Sequence, residues 1–366
     1  MNPIYVHTLG DSTLDNVYWM LDEQGKNIEE AKAQSVEGQI QAKLQEDNDD
    51  LYQVISHAYD GFTTNSLIDG DDVGSVLRVR PQRVDARGLG YLKCKDINST
   101  DDSFFVSPIS KLKNEIEAHP DSTHYIVMSV CGNDFRVQIT TPIKMLKSIP
   151  EILERYNFLL NELVELKGME NRDIKPILMF QYRVDANNDG YGIYNILKII
   201  GAVTLTISLL SAAALITSLT ALAGLISAPA AIILALIGIG GLILSHQILP
   251  LRMTAKVLSG EDLSMATLDA LLERFYQPIL QRAKDEEIPI LDLPNTFNPY
   301  KPLYLASIEP GVEGGALIAE GIDHIIKNHD FNSASMLYAK NDSQAEYAAS
   351  ENPGYDGWRV SAAQRP

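Results

Sequence analysis

Residues 199–251 contain no Asp, Glu, Lys or Arg. Of those 53 residues, 35 are apolar and five more are Gly. A helix needs about 20 apolar residues to cross the hydrocarbon of a bilayer. The run is too long for one such helix and has the length of two joined by a turn. Ser227-Ala228-Pro229 supplies the turn, because proline ends or kinks a helix. Spans are therefore expected at Ile199–Ile226 and Ala230–Leu249, inside an insert covering 193–252, with Pro250 stopping the second. Lys198 flanks one end and Arg252 and Lys256 the other, which places both ends on the cytoplasmic side. Gly201, Ser208, Ser211, Ala212, Ala223, Gly238, Gly240 and Gly241 are small enough for close helix packing. The alternative is a buried hairpin of a soluble domain. Soluble helices normally keep a polar face. Neither segment has one beyond scattered Ser and Thr and the terminal His246-Gln247.

The rest of the chain is a different material. The protein carries 48 Asp+Glu against 30 Lys+Arg, a formal charge of −18, all of it outside the apolar run. A nucleic-acid binder needs basic surface, so no nucleic-acid partner is expected. Anionic lipid head groups would repel an acidic domain, so anchoring falls to the apolar hairpin. Two cysteines cannot build a disulfide scaffold. No secretory signal is expected, because Ile4–Leu9 is too short for its apolar core and lacks a basic lead.

Short apolar, β-branched segments alternate with helical ones. Strands are predicted at 4–9, 52–56, 125–130, 176–181 and 288–292. Helices are predicted over 17–48, 62–78, 152–166 (opened by Pro150), 268–283 and 314–327. That alternation predicts an α/β fold, a parallel sheet covered on both faces. The segment 331–366 is rich in Ser, Ala, Asn, Asp and Gln and is expected to be a flexible tail.

Polar clusters follow three of the predicted strands: Gly10-Asp11-Ser12-Thr13-Leu14-Asp15-Asn16, His57 to Thr64 around Gly61, and Val130-Cys131-Gly132-Asn133-Asp134. A parallel sheet brings all three to one edge, where ligands bind. A serine on a strand-to-helix loop can present its hydroxyl as a nucleophile. The amides of Ser12 and Gly61 and the side-chain NH₂ of Asn133 could together hold an oxyanion. Taken singly, each cluster also reads as an ordinary turn.

These clusters, in this order, resemble the SGNH (GDSL-type) hydrolases: Gly10-Asp11-Ser12 with Asp15-Asn16 as the first block, Gly61 as the second, and Gly132-Asn133-Asp134 as the third. The resemblance covers roughly 4–192 and 253–328. It implies a three-layer flavodoxin-like fold with the hairpin inserted between two parts of the hydrolase domain, 1–192 and 253–330. It implies ester or acyl hydrolysis without a cofactor, Ser12 as nucleophile, and Gly61 and Asn133 as oxyanion donors. The family's Asp-x-x-His-Pro departs here: Ala306 stands at the Asp position and Glu309 at the His position, before Pro310.

The base is thus open between two residues. Glu309 could accept the serine proton if burial raised its pKa toward neutrality. His57 lies four residues before Gly61, at the same predicted edge. His7, within a strand, is expected to be a core residue, and His324 and His329 surface ones. Cys131 has no accompanying signature of a thiol nucleophile and is expected to be buried packing. Asp185-Ala186-Asn187-Asn188-Asp189-Gly190 begins like a calcium loop, but Ile196 occupies the position that needs Glu, so a turn is expected and no metal. The function expected is a membrane-associated serine hydrolase with a lipid or lysophospholipid acyl ester as substrate and the bilayer as partner. The alternative is a catalytically silent module of the same fold with an anchoring and binding role. An even number of spans keeps Ser12 and Glu309 on one side of the membrane. The sequence leaves the oligomeric state open.

Overall fold

The computed structural model describes residues 2–23, 27–46, 51–72, 104–138, 142–188, 192–220, 233, 235–239, 256–257, 260–305, 307–340 and 357–362. The chain divides into two compact units: 1–137, 150–188 and 279–366 form the first, and 138–149 with 189–278 the second. Two of the boundaries fall at Pro150 and Pro278, each inside a helix, where the ring removes a backbone donor.

The first unit is built on a seven-stranded sheet. Its strands are β1 (Ile4–Gly10), β2 (Tyr52–Ala58), β5 (Thr123–Ser129), β6 (Asp173–Met179), β7 (Ile290–Leu291), β10 (Met336–Lys340) and β11 (Trp358–Ala362). Small two-residue pairs complete the strand set, β3 (Asp71–Asp72) with β4 (Phe104–Phe105) and β8 (Tyr304–Leu305) with β9 (Glu309–Pro310). The sheet order is β2-β1-β5-β6-β7-β10-β11, parallel throughout except for the last pair. Its first five strands, taken in chain order, run 2-1-3-4-5, the doubly wound order of flavodoxin-like folds. The expected α/β class and mostly parallel sheet are both present.

Helices α1 (Val17–Glu23), α2 (Ile28–Gln34), α3 (Val36–Gln45) and α4 (Thr64–Asp69) follow the first two strands. Side chains start them: Asn27 caps α2, Ser35 caps α3, and Thr63 with Ser66 forms a reciprocal capping box on α4. Helix α5 is Pro108–Ala118, α6 Gly132–Gln138, α7 Pro142–Lys167, α8 Ile193–Thr220, α9 Leu263–Asp285, α10 Leu293–Thr296 and α11 Val312–Asn328. One core joins Val6, Val127, Ile177 and Met179 of the sheet to Val36, Ile40 and Leu44 of α3 and to Ile318, Ile322 and Ile325 of α11. Burying each such side chain contributes about 1.5–3 kcal/mol. Edge strand β2 is blunted by one side chain: Gln41 donates to the Tyr52 carbonyl (3.0 Å) and accepts from the Val54 amide (2.8 Å).

Several expectations are corrected. The 331–366 segment, expected as a flexible tail, supplies β10 and β11. Trp358 is held there by its indole N–H donating to Glu320 (3.3 Å), by His324 stacked at 5.6 Å and by the Lys340 ammonium 5.7 Å from its ring. Composition misled because two strands of five residues carry the anchoring, while the residues between them set the average. His329 is buried, paired with the Tyr338 hydroxyl at 2.9 Å, and is not a surface residue. Pro150 lies inside α7 rather than opening it. Helix α4 ends at Asp69, where Gly70 closes it, short of the expected residue 78.

In the second unit, α8 is the one helix among the described residues long and apolar enough to cross a membrane. Its polarity is inside-out. Leu197, Gly201, Thr204, Ser208, Ser211 and Ser218 are buried in a seam of alternating three- and four-residue steps, interrupted at half-buried Leu215. Ile199 (62% exposed), Leu209 (57%), Leu210 (66%) and Ile216 (63%) face outward. Thr204, Thr206, Ser208, Ser211, Thr217 and Ser218 each donate their hydroxyl to a carbonyl three or four residues back, so none needs water. The expected second span is described only at 233 and 235–239, and its turn at 227–229 lies outside the described residues. At Gly238 an added Cβ would stand 2.6 Å from Leu215 Cγ and 2.9 Å from the Ser211 carbonyl oxygen, so this segment lies directly against α8.

Candidate functional site

The strand order reverses between β1 and β5, and the carboxyl ends of such strands are where doubly wound sheets bind ligands. The loops that follow these two strands carry Ser12 and Asn133. Asp11 to Asp15 form a tight turn, with the Leu14 and Asp15 amides donating to the Asp11 carbonyl at 3.0 Å each. Ser12 sits in that turn, only slightly exposed, and its hydroxyl has no hydrogen-bond partner among the described residues.

Hydrogen bonds tie the sequence clusters together. The Tyr59 amide donates to the Gly10 carbonyl (3.1 Å), and the Asp60 amide to Asp15 Oδ2 (3.1 Å). Tyr59–Phe62 is a turn closed at 3.1 Å, and its third residue, Gly61, has φ +90°. A side chain is disfavoured in that left-handed region, which is why glycine stands there. Asn133 Nδ2 donates to the Phe62 carbonyl (3.0 Å). The amide's second N–H is left as a donor for another acceptor. Asp134 accepts from the Thr64 amide (2.9 Å) and hydroxyl (2.7 Å) and from Arg155 (3.3 Å). Asn16 accepts from the Val36 amide (2.9 Å) and donates to the Pro310 carbonyl (2.8 Å), so the loop of Ser12 is tied to the strand of Glu309.

Beneath these loops lies a buried polar hub that the sequence did not reveal. Gln181, just past β6, accepts from the Thr13 hydroxyl (2.8 Å) and donates toward both Asp11 carboxylate oxygens (3.4 and 3.3 Å) and to Ser129 Oγ (3.2 Å). Asp11 also accepts from the Thr13 amide at 3.1 Å. Ser12 is therefore flanked on both sides by residues that Gln181 holds. The only sequence signal was a polar residue closing an apolar strand. Burial pushes the Asp11 carboxyl up to about 6, against the hydrogen bonds from Thr13 and Gln181 that lower it. Burial also raises Asp134, opposed by Thr64 and Arg155. Arg155 had no signal beyond its place in a helix.

Glu309 is buried at the Pro310 end of this site. It lies close enough that its charge, after desolvation and ahead of that of Asp11, raises the Tyr182 phenol, whose hydroxyl donates to the Ile308 carbonyl at 2.6 Å. Ala306 lies outside the described residues. His57 is placed differently. Its Nε2 lies 3.2 Å from His7 Nδ1 within the strand layer, and His7 is the buried, hydrogen-bonded core residue expected. Cys131 is fully buried and burial drives its thiol well above the ordinary range, which disfavours a thiolate nucleophile. Its φ of +109° puts about 1–3 kcal/mol of backbone strain at the turn into Asn133.

The chain matches no family model, no curated protein and no solved structure. Function therefore rests on the site's own chemistry. A small hydroxyl, a side-chain amide with a donor to spare, and carboxyls that burial raises converge at the switch point of a doubly wound sheet. That set can attack a carbonyl carbon, hold the resulting oxyanion and move a proton.

Proposed function

We propose that this protein is a membrane-held serine hydrolase of the SGNH type that cleaves acyl esters of lipids. The observation that carries the proposal is the bonded convergence of the three clusters around Ser12: Asp15 on the Asp60 amide, Asn133 on the Phe62 carbonyl and Asn16 on the Pro310 carbonyl. Sequence order alone does not require these bonds. In this reading Ser12 attacks the ester carbonyl. The amides of Ser12 and Gly61 and the side chain of Asn133 hold the oxyanion, and Glu309 takes the serine proton. His57 is less suited to that role, because its ring is engaged with His7 in the strand layer. The membrane half of the proposal is supported by the outward Ile and Leu of α8 and by hydroxyls satisfied within the helix. Its hairpin form is supported by Gly238 lying against Leu215, while two spans with both ends cytoplasmic rest on the length of the apolar run and its basic flanks.

One observation favours a second reading. No histidine among the described residues reaches the Ser12 hydroxyl, as a silent binding module of the same fold would allow. A fluorophosphonate probe separates the two. Labelling of the full-length protein that is lost in Ser12→Ala, with loss of lipid-ester hydrolysis and unchanged membrane partition, is expected. No Ser12-dependent labelling refutes the hydrolase.

A further inference from the structure

Four of the seven histidines form a line through the first unit, apart from the Ser12 site. His57 on β2, His7 on β1 and His124 on β5 are all buried. Their side chains lie on the sheet face away from Val6. His57 Nε2 lies 3.2 Å from His7 Nδ1, His7 Nε2 lies 3.0 Å from His124 Nδ1, and His124 Nε2 lies 2.9 Å from the His119 carbonyl oxygen. The rings are stacked at 5.4 and 5.3 Å. Tyr5 stacks on His124 at 5.4 Å, and its hydroxyl pairs with His119 Nδ1 at 3.2 Å.

The far end fixes the protons of the whole row. A carbonyl oxygen only accepts, so His124 must carry its proton on Nε2. Its Nδ1 then accepts, which puts the proton of His7 on Nε2. His7 Nδ1 accepts in turn, which puts the proton of His57 on Nε2. The three rings are thus neutral Nε2–H tautomers pointing one way, with His57 Nδ1 as the basic end. One added proton at that end leaves every bond of the row intact. With His57 charged, a second proton on His7 or His124 sets donor against donor and puts two cations in one buried stack.

We propose that His57, His7 and His124 form a proton-gated clasp across β2, β1 and β5, locked when neutral and released by a second proton. Among the described residues, the charges around His7 and His124 only partly offset that second proton. His7 faces the other histidines and the Tyr5 ring, stacked at 6.1 Å, and burial and the histidines' charges hold it well below the ordinary histidine range. His124 is lowered mainly by burial; its hydrogen bond to the His119 carbonyl opposes this most strongly, the charges of His119 and Arg172 add to the lowering, and Asp173 opposes it. Helix α5 contributes Lys111, whose ammonium donates to the Tyr59 hydroxyl, Lys113, paired with Glu162, and Glu115, whose carboxylate lies 4.0 Å from exposed His119 rather than from the buried rings. Both groups are depressed in the folded state. The clasp is therefore intact above the ordinary histidine pKa of about 6.5 and is lost as pH falls below it.

The test is hydrogen exchange on the full-length protein in detergent micelles, from pH 7.5 to 4.5. Protection of the β2 amides Tyr52–Ala58 is expected to fall by more than tenfold per pH unit, the mark of more than one proton, while β6 amides Asp173–Met179 stay protected. His7→Gln supplies one N–H and one acceptor oxygen without titrating. It is expected to keep β2 protection within about threefold of wild type at pH 7.5 and to abolish the acid step. The same acid step in His7→Gln, or simultaneous loss of β2 and β6, overturns the proposal. Should that variant not fold, imidazole nitrogen spectra of the wild-type protein at pH 7.5 decide. All three buried rings are expected as Nε2–H, and an Nδ1–H tautomer or a cation among them overturns it.

Discussion

Asp11 is a carboxyl that the fold would hold more easily without its charge. Burial raises it from 3.8 to about 6, so the neutral form is the one the folded state accommodates. That rise corresponds to about 3 kcal/mol. The sign follows from linkage. A group raised on folding contributes stability that is fully present below its unfolded pKa and lost as pH climbs through its folded one. Between pH 3.8 and about 6 the ionised unfolded chain is progressively favoured, and above that the cost is constant. Asp11→Asn removes the titration. Its side-chain oxygen can still accept from the Thr13 amide, but its NH₂ faces the Gln181 NH₂, which lies 3.3 Å from the oxygen it replaces. That clash adds an offset that does not depend on pH, so the informative quantity is the change in ΔΔG between pH 4 and pH 7.5. Urea unfolding of the two proteins, followed by near-UV signals of the first unit, is expected to show Asp11→Asn gaining about 2.5 kcal/mol on wild type across that interval. A difference flat to within about 0.5 kcal/mol would show that Asp11 is already ionised without cost, and the burial argument would fall.

Three further outcomes follow from named contacts. Asn133→Ala should lower Ser12 labelling by a fluorophosphonate about 10²–10³-fold, with about 1 kcal/mol of stability lost with the Phe62 bond; an unchanged rate removes Asn133 from the oxyanion site. Leu210→Lys places a charge on the most outward part of α8 and should cost about 2.5–3.5 kcal/mol of insertion, read as protein leaving the carbonate-washed membrane fraction; equal retention refutes the membrane face. Trp358→Ala should destabilise the first unit by about 3–5 kcal/mol in urea unfolding, whereas an unaltered midpoint would mean that β11 adds nothing to the sheet.

What could be read from the sequence was whatever depends on local pattern. Ile4–Leu9 and Tyr125–Val130 announced buried strands by unbroken apolar character, and Gly61 announced a turn that only glycine enters comfortably. Because a parallel sheet gathers its loops at one edge, placing those loops after strands was enough to expect Ser12, Gly61 and Asn133 together. What depends on long-range pairing left no such mark. Gln181 and Asp11 are 170 positions apart, and nothing in either neighbourhood says that they meet. The same holds for Trp358 against Glu320 and for the histidine row, whose three strands are joined only by folding. His57 could be placed near the sheet edge but not given a direction, because a strand residue one position either way faces the opposite layer.

The insertion point carries a topological consequence for the membrane proposal. The apolar segment leaves the chain after β6 and the chain returns at β7, and these strands are neighbours, with Leu178 opposite Ile290 and Met179 opposite Leu291 in parallel register. Strands that share backbone hydrogen bonds lie on the same side of any bilayer. If α8 crosses as a single span, β7 is delivered to the wrong side and the sheet cannot close. A return crossing is therefore required, and the only apolar stretch between α8 and α9 long enough to make one is the expected segment Ala230–Leu249. Its described part already touches α8 at the position such a hairpin needs. Gly238 meets Leu215, and the midpoint of that pair falls within three residues of Pro229. On the membrane proposal the hydrolase and the hairpin constrain each other: a closed β6–β7 pair permits an even number of crossings and excludes a single one.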